Sequence, residues 1–177
     1  MGYDLYMNNF NFHSFTKALL CLVVPMVLLT SAQAEEPSAK TTTEIYQDWQ
    51  YSCVERNETT TCEVVQSAVN NQGGVVSQLS AVINPDGNPQ IQIILPHFIH
   101  LQKEIAMEVP DQLKLSVQPL FCDPRACYII QSEQKVLNAL KEGDKLDLEV
   151  DLISGEKLGV SYSLLGFNAA FNRLSGE

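Results

Sequence analysis

The clearest pattern lies in the last third of the chain. Over residues 145–153, Leu146, Leu148, Val150 and Leu152 alternate with Asp147, Glu149 and Asp151. This is the period of two of a strand with one buried face. Ser154-Gly155-Glu156 turns the chain, and residues 158–165 return as the partner strand. Beyond Gly166 the period changes. Phe167, Ala170, Phe171 and Leu174 fall at i, i+3, i+4 and i+7, the stripe of a short terminal helix. A second short helix is predicted over 132–141, where Val136, Leu137 and Leu140 share a face, Ser132 is a candidate cap and Gly143 lies just past the end.

Upstream the signals are strand-like. Residues 45–54 hold Tyr46, Trp49 and Tyr51, residues 55–61 read as a polar turn, and 62–69 resume a β-branched run. Gln72-Gly73-Gly74 precedes a strand over 75–83, and Asn84-Pro85-Asp86-Gly87-Asn88-Pro89 is a strong turn before a strand over 90–95. Pro96 stops that strand, and 97–108 read as a loop followed by a short strand. Leu113, Leu115 and Val117 alternate within a run over 112–121, and another run spans 127–131. Asp123-Pro124 opens the connector between these two, because Pro presets φ and Asp bonds the backbone beyond it. About nine strands and two short helices predict an all-β, antiparallel β-sandwich over residues 45–177.

The first third differs. Residues 35–44 are Pro, Ser, Thr and charge with almost nothing apolar, and read as a flexible leader. Ahead of them stand Lys17, an apolar run over 18–29, and Ser31-Ala32-Gln33-Ala34, with small residues at −3 and −1 of a cut after Ala34. That order is the one of a secretory signal peptide over 1–34. The apolar run, as a helix, reaches only about 18 Å, short of the roughly 30 Å hydrocarbon layer, so no membrane span is expected after cleavage. The region before the apolar run is long and Asp4 offsets Lys17, which makes Met7 a second candidate start beside Met1.

Export changes the meaning of the cysteines. Cys21 lies in the apolar run and leaves with it, and Cys53, Cys62, Cys122 and Cys127 remain. An even count in an exported chain points to disulfides. Of the three possible pairings, the local ones, 53–62 and 122–127, are favoured because each pair flanks a turn-like connector. Once Lys17 and Asp4 are removed, ten basic face twenty acidic side chains. With no basic cluster, nucleic acid is excluded as a partner, and anionic membrane surfaces repel the chain.

Candidate chemistry is sparse. No G-x-S-x-G, H-E-x-x-H, Walker or Rossmann pattern occurs. Cys122-x4-Cys127 is not the C-x-x-C of thiol oxidoreductases, so a structural disulfide is the reading. His97 and His100 share a face only if their stretch is helical. With Met107 or Glu104 they are weak candidates for a copper or zinc site. Asp147, Glu149 and Asp151 stand roughly 7 Å apart along one strand face, and read as the solvated face of an edge strand. Trp49 is taken as core packing beside the first disulfide, and Phe167 and Phe171 as covering an open end of the sandwich.

The ordered features Trp49-x3-Cys53, Cys62, Leu95-Pro96, Cys122-x4-Cys127, then Ser161-Tyr162-Ser163-Leu164-Leu165 running into Gly166-Phe167-x2-Ala170-x3-Leu174, resemble the invasion-associated locus B family of exported bacterial proteins. The resemblance covers roughly residues 48–174. It departs at Ala126, where the family has Gly, and at 97–101, where a glycine-bearing aliphatic stretch is replaced by His97-Phe98-Ile99-His100-Leu101. The resemblance implies an exported, disulfide-bonded β-sandwich without a known activity, some members being linked to bacterial entry into host cells. The resulting expectation is a non-enzymatic periplasmic or secreted protein without cofactor. Its partner is an unknown envelope or host protein, and the alternative is metal handling through His97 and His100.

Overall fold

A computed structural model describes residues 39–176; the expected signal peptide and the first residues of the leader lie outside the described residues. The strands are β1 (Lys40–Tyr46), β2 (Trp49–Arg56), β3 (Thr59–Val69), β4 (Val75–Ile83), β5 (Pro89–Leu95), β6 (Ile105–Val109), β7 (Leu113–Val117), β8 (Phe121–Cys122), β9 (Cys127–Gln131), β10 (Lys145–Asp151) and β11 (Lys157–Ser163). Two helices, α1 (Gln134–Glu142) and α2 (Phe167–Ser175), complete the described chain.

The strands form two antiparallel sheets, one in the order β1-β2-β3-β4-β5-β9-β8 and one in the order β11-β10-β6-β7. Their inner faces close one core. The large sheet contributes Trp49, Val64, Leu79, Ile93 and Ile129, the small sheet Met107, Leu146, Leu148 and Tyr162, and the helices Leu140 and Phe167. One polar chain crosses that core. The Tyr162 hydroxyl donates to the Ser77 hydroxyl, which donates to the Ile94 carbonyl at 2.7 Å. Burial pushes the Tyr162 phenol well up from its ordinary value.

The sandwich and the helices are as the pattern predicts, and several boundaries are not. The strand expected over 45–54 is two strands, broken at Gln47-Asp48, where Gln47 takes φ 55°. The polar turn expected over 55–61 is two residues, Asn57 and Glu58, both at positive φ (50° and 65°), the geometry a tight hairpin requires. The leader expected over 35–44 is corrected from Lys40 onward. Lys40–Glu44 belong to β1 and pair with β2. Their three β-branched threonines suit a strand, and the edge position leaves them exposed, so no apolar signal marks them.

The run over 112–121 is divided between the two sheets, β7 in one and β8 in the other, on either side of Pro119. Proline has no N–H to give a ladder, and Leu120 restarts the pairing by donating to the Tyr128 carbonyl at 2.7 Å. The cap of α1 is Glu133 rather than Ser132 and makes no side-chain cap bond. Gly143 ends α1 without a left-handed turn. Its role is space, because a Cβ there would stand 2.3 Å from the Val109 side chain.

Candidate interaction surface

Both disulfides are local. Cys53–Cys62 and Cys122–Cys127 join residues directly opposite across neighbouring strands, with Cα separations of 4.1 and 4.0 Å. The Tyr51 hydroxyl donates to Cys53 Sγ at 2.7 Å, beneath the first bond. Asp123 shapes the second loop: its carboxylate accepts from the Arg125 and Ala126 backbone N–H at 2.8 and 2.9 Å. Those bonds hold its carboxyl below the ordinary value, against a smaller opposing effect of burial. Ala126 is buried and keeps a negative φ, so the departure from Gly costs nothing at the backbone.

Trp49 is 1% exposed, donates from Nε1 to the Ser163 carbonyl at 3.0 Å, and meets the Phe167 ring edge-on at 4.8 Å. It packs on the helix, and the Tyr51 hydroxyl reaches both sulfurs of the first disulfide. Phe171 is also buried, with the Lys141 ammonium 4.5 Å from its ring centre. Gly166 has φ 90°, and a Cβ there would lie 2.1 Å from the Tyr46 carbonyl oxygen. The residue therefore lets α2 start against the β1–β2 turn.

His97 lies in a turn and His100 in irregular chain, on either side of an isolated bridge from Ile99 to Leu152 and not on a helix. Among the described residues no group of three or more His, Cys, Asp and Glu side chains is arranged to hold a metal ion. The acidic alternation belongs to β10, which is paired on both sides, so the expected edge position is corrected. Asp147 and Glu149 line a shallow depression of about 520 Å³, together with Ala106 and Gly159. Each carboxylate of the strand has a cation: Lys145 lies 2.6 Å from Asp147, Lys157 pairs with Glu149, and Lys103 lies 3.0 Å from Asp151. For Asp147 burial opposes ionisation, but hydrogen bonds from Lys145 and Ser161 outweigh it and the carboxyl is lowered. For Asp151 the Lys103 bond lowers it.

The outer face of the large sheet is of the opposite character. Register sets its side chains in rows: Gln50, Val65, Ser80, Gln92 and Ile130 in one, Ser52, Glu63, Val82 and Gln90 in the next. A third row runs Gln78, Ile94, Tyr128 and Phe121, the last two rings stacked at 4.7 Å. Among the outward side chains of β2 to β5 and β9, only Glu63 and Arg56, at the hairpin tip, are charged. A chain of net charge −10 thus places its charge elsewhere and leaves one broad face of amides, hydroxyls and branched aliphatics. Ser80, at the middle of that face, is only 3% exposed. Sequence reasoning missed this face because it exists only once seven strands are in register.

Two facing antiparallel sheets, two cross-strand disulfides and a terminal helix sealed by a glycine define a disulfide-bonded β-sandwich whose disulfides fit an oxidising, extracytoplasmic compartment. The model of the Invasion associated locus B (IalB) protein family matches residues 49–175, and the chain belongs to that family. It is similar to the crystal structure of invasion associated protein b from Bartonella henselae, with 26% sequence identity and a TM-score of 0.65 over 76% of this chain and 95% of that one. No curated protein matches the chain. No helix among the described residues is long and apolar enough to cross a membrane.

Proposed function

We propose that this protein is exported, loses residues 1–34 by cleavage after Ala34, and acts in the periplasm or outside the cell without catalysing a reaction. Its work is to bind a protein partner through the outer face of the large sheet. The segregation of charge carries this reading. One face offers hydrogen-bonding amides and hydroxyls between Val and Ile side chains, almost without charge, on a chain of net charge −10. A protein docked there buries few unpaired charges, the condition that favours the centre of a stable interface. Membership of the IalB family, and likeness to a protein named for invasion, make association of the bacterium with a host the setting proposed for that binding.

The test is capture from envelope and host-cell extracts with wild-type protein, with Ser80→Lys and Gln92→Lys on the face, and with Glu149→Gln on the small sheet. The reading expects one discrete partner retained by wild type and Glu149→Gln and lost by both lysine variants. No partner, or one that all variants hold equally, overturns it.

A further inference from the structure

Asparagines stand at the start of three turns of the large sheet: Asn57 between β2 and β3, Asn70 between β3 and β4, and Asn84 between β4 and β5. Two of them spend their side chains on the turn. Asn70 Oδ1 accepts from the N–H groups of Gln72 and Gly74, both at 2.9 Å. Asn84 Oδ1 accepts from those of Asp86 and Asn88 at 3.1 and 2.8 Å. These are the self-bonded turns that Asn commonly makes. Asn57 differs, because its carboxamide has no hydrogen bond among the described residues. Its φ of 50° suits an Asn in the backbone and leaves the side chain unused.

The residues around Asn57 give that free amide a use. Asn57-Glu58-Thr59 is an acceptor sequence for N-linked glycosylation, and no other N-x-[ST] occurs in the chain. The Thr59 hydroxyl is also without a partner among the described residues. All of residues 55–61 are exposed. Glu55, two before the Asn, adds an anion on the same tip that a transferase cation can pair with. Asn57 opens on a shallow depression of about 530 Å³, lined by Ser52, Val54, Arg56, Thr61 and Glu63, where the first sugars have room. The tip can also leave the fold locally. The pairs Glu55–Thr60 and Arg56–Thr59 lie beyond the Cys53–Cys62 bond and none of the four residues is buried, so they open at low cost. The disulfide stops that opening short of Tyr51 and Val64, which are buried.

We propose that Asn57 is an N-glycosylation site of the exported chain, with a polyprenyl-diphosphate-linked oligosaccharide as the donor. In the transfer, Asn57 Nδ2 bonds to C1 of the first sugar and the bond from C1 to the diphosphate oxygen breaks. Polyprenyl diphosphate leaves, and the amide proton passes to a base of the transferase. The Thr59 hydroxyl holds the acceptor in place on that enzyme. The product is a bulky hydrophilic group at the hairpin tip. The modification is independent of what binds the outer face and rests only on the export proposed above.

Intact and peptide mass spectrometry on the protein purified from its native host tests this. The expected result is a discrete added mass made up of sugar residues, carried by the peptide that contains Asn57. Asn57→Gln and Thr59→Ala lose it, and Thr59→Ser, which retains the hydroxyl, keeps it. Both positions are exposed, so the fold is preserved, and the two disulfides are read in the same spectra as a check. An unmodified chain, a sugar mass that persists in Asn57→Gln, or one indifferent to Thr59→Ala each overturns the proposal. The N-terminus is read alongside: a chain that begins at Glu35 without sugar refutes the modification and leaves export standing.

Discussion

Gly166→Ala is the substitution the fold should tolerate least for its size. Two costs combine. A residue with a Cβ at φ 90° sits in left-handed backbone, which costs about 1–2 kcal/mol. The new methyl also stands 2.1 Å from the Tyr46 oxygen, 2.8 Å from the Tyr46 carbonyl carbon and 3.0 Å from Gln47 Cβ. Atoms at such distances must separate by roughly 1 Å to reach ordinary contact. All three belong to the turn that joins β1 to β2, so α2 or the turn has to move. Either movement strains the bond from the Asp48 N–H to the Leu165 carbonyl, and overpacking of this kind costs about 1–3 kcal/mol. The sum is about 2–5 kcal/mol.

Gly155→Ala separates the two costs. Its φ is 87° and nothing lies within 4 Å of an added Cβ, so only the backbone cost remains. Urea unfolding without reductant can follow Trp49 fluorescence, because this single tryptophan is buried against Phe167 at the α2 junction. The expected outcome is that Gly166→Ala destabilises by at least about 1 kcal/mol more than Gly155→Ala. Equal losses for the two variants would refute the close approach of α2 to the β1–β2 turn.

Further outcomes follow from the same structure. Replacing both cysteines of a pair by alanine should cost roughly 3 kcal/mol for Cys53–Cys62 and roughly 2 for Cys122–Cys127, following loop length, with the order checked by urea titration. Tyr162→Phe breaks the chain of hydroxyls to Ser77 and should cost about 1 kcal/mol in the same assay; an unchanged midpoint would show that this link between the sheets contributes nothing. The carboxyl of Asp123 has a folded pKa below its ordinary value of 3.8, chiefly through the N–H groups of Arg125 and Ala126. Its contribution is therefore complete above that ordinary value and is lost as pH falls through the lower folded value. The stability difference between wild type and Asp123→Ala should accordingly be constant near neutral pH and shrink below pH 3.8; growth on acidification contradicts this.

What the sequence reveals follows the burial of apolar side chains. Leu146, Leu148 and Val150 point to the core as their alternation requires, and Phe167, Ala170 and Phe171 are buried along one side of α2. Asp123 bonds the backbone beyond it as a turn-opening Asp should. Where burial is weak, the pattern is silent. Thr41, Thr42 and Thr43 are exposed on an edge, so hydropathy cannot tell that strand from a leader. Gln47 turns the chain without glycine or proline, through a positive φ that no local composition announces. Asp147, Glu149 and Asp151 read the same on an edge strand as on an inner one, since neighbours across a sheet lie far away in sequence. The uncharged outer face is hidden for the same reason. Its rows are drawn from strands some eighty residues apart, and each strand alone shows only ordinary Gln, Ser and Val.

A contact between this face and a partner can be trapped where it forms. A photoreactive residue placed at Gln92, on the outer face of the large sheet, and another at Ser116, on the outer face of the small one, test it inside living bacteria and during contact with host cells. A discrete, light-dependent adduct is expected from position 92 and none of the same mass from position 116. No adduct from position 92, or the same adduct from both, would contradict it.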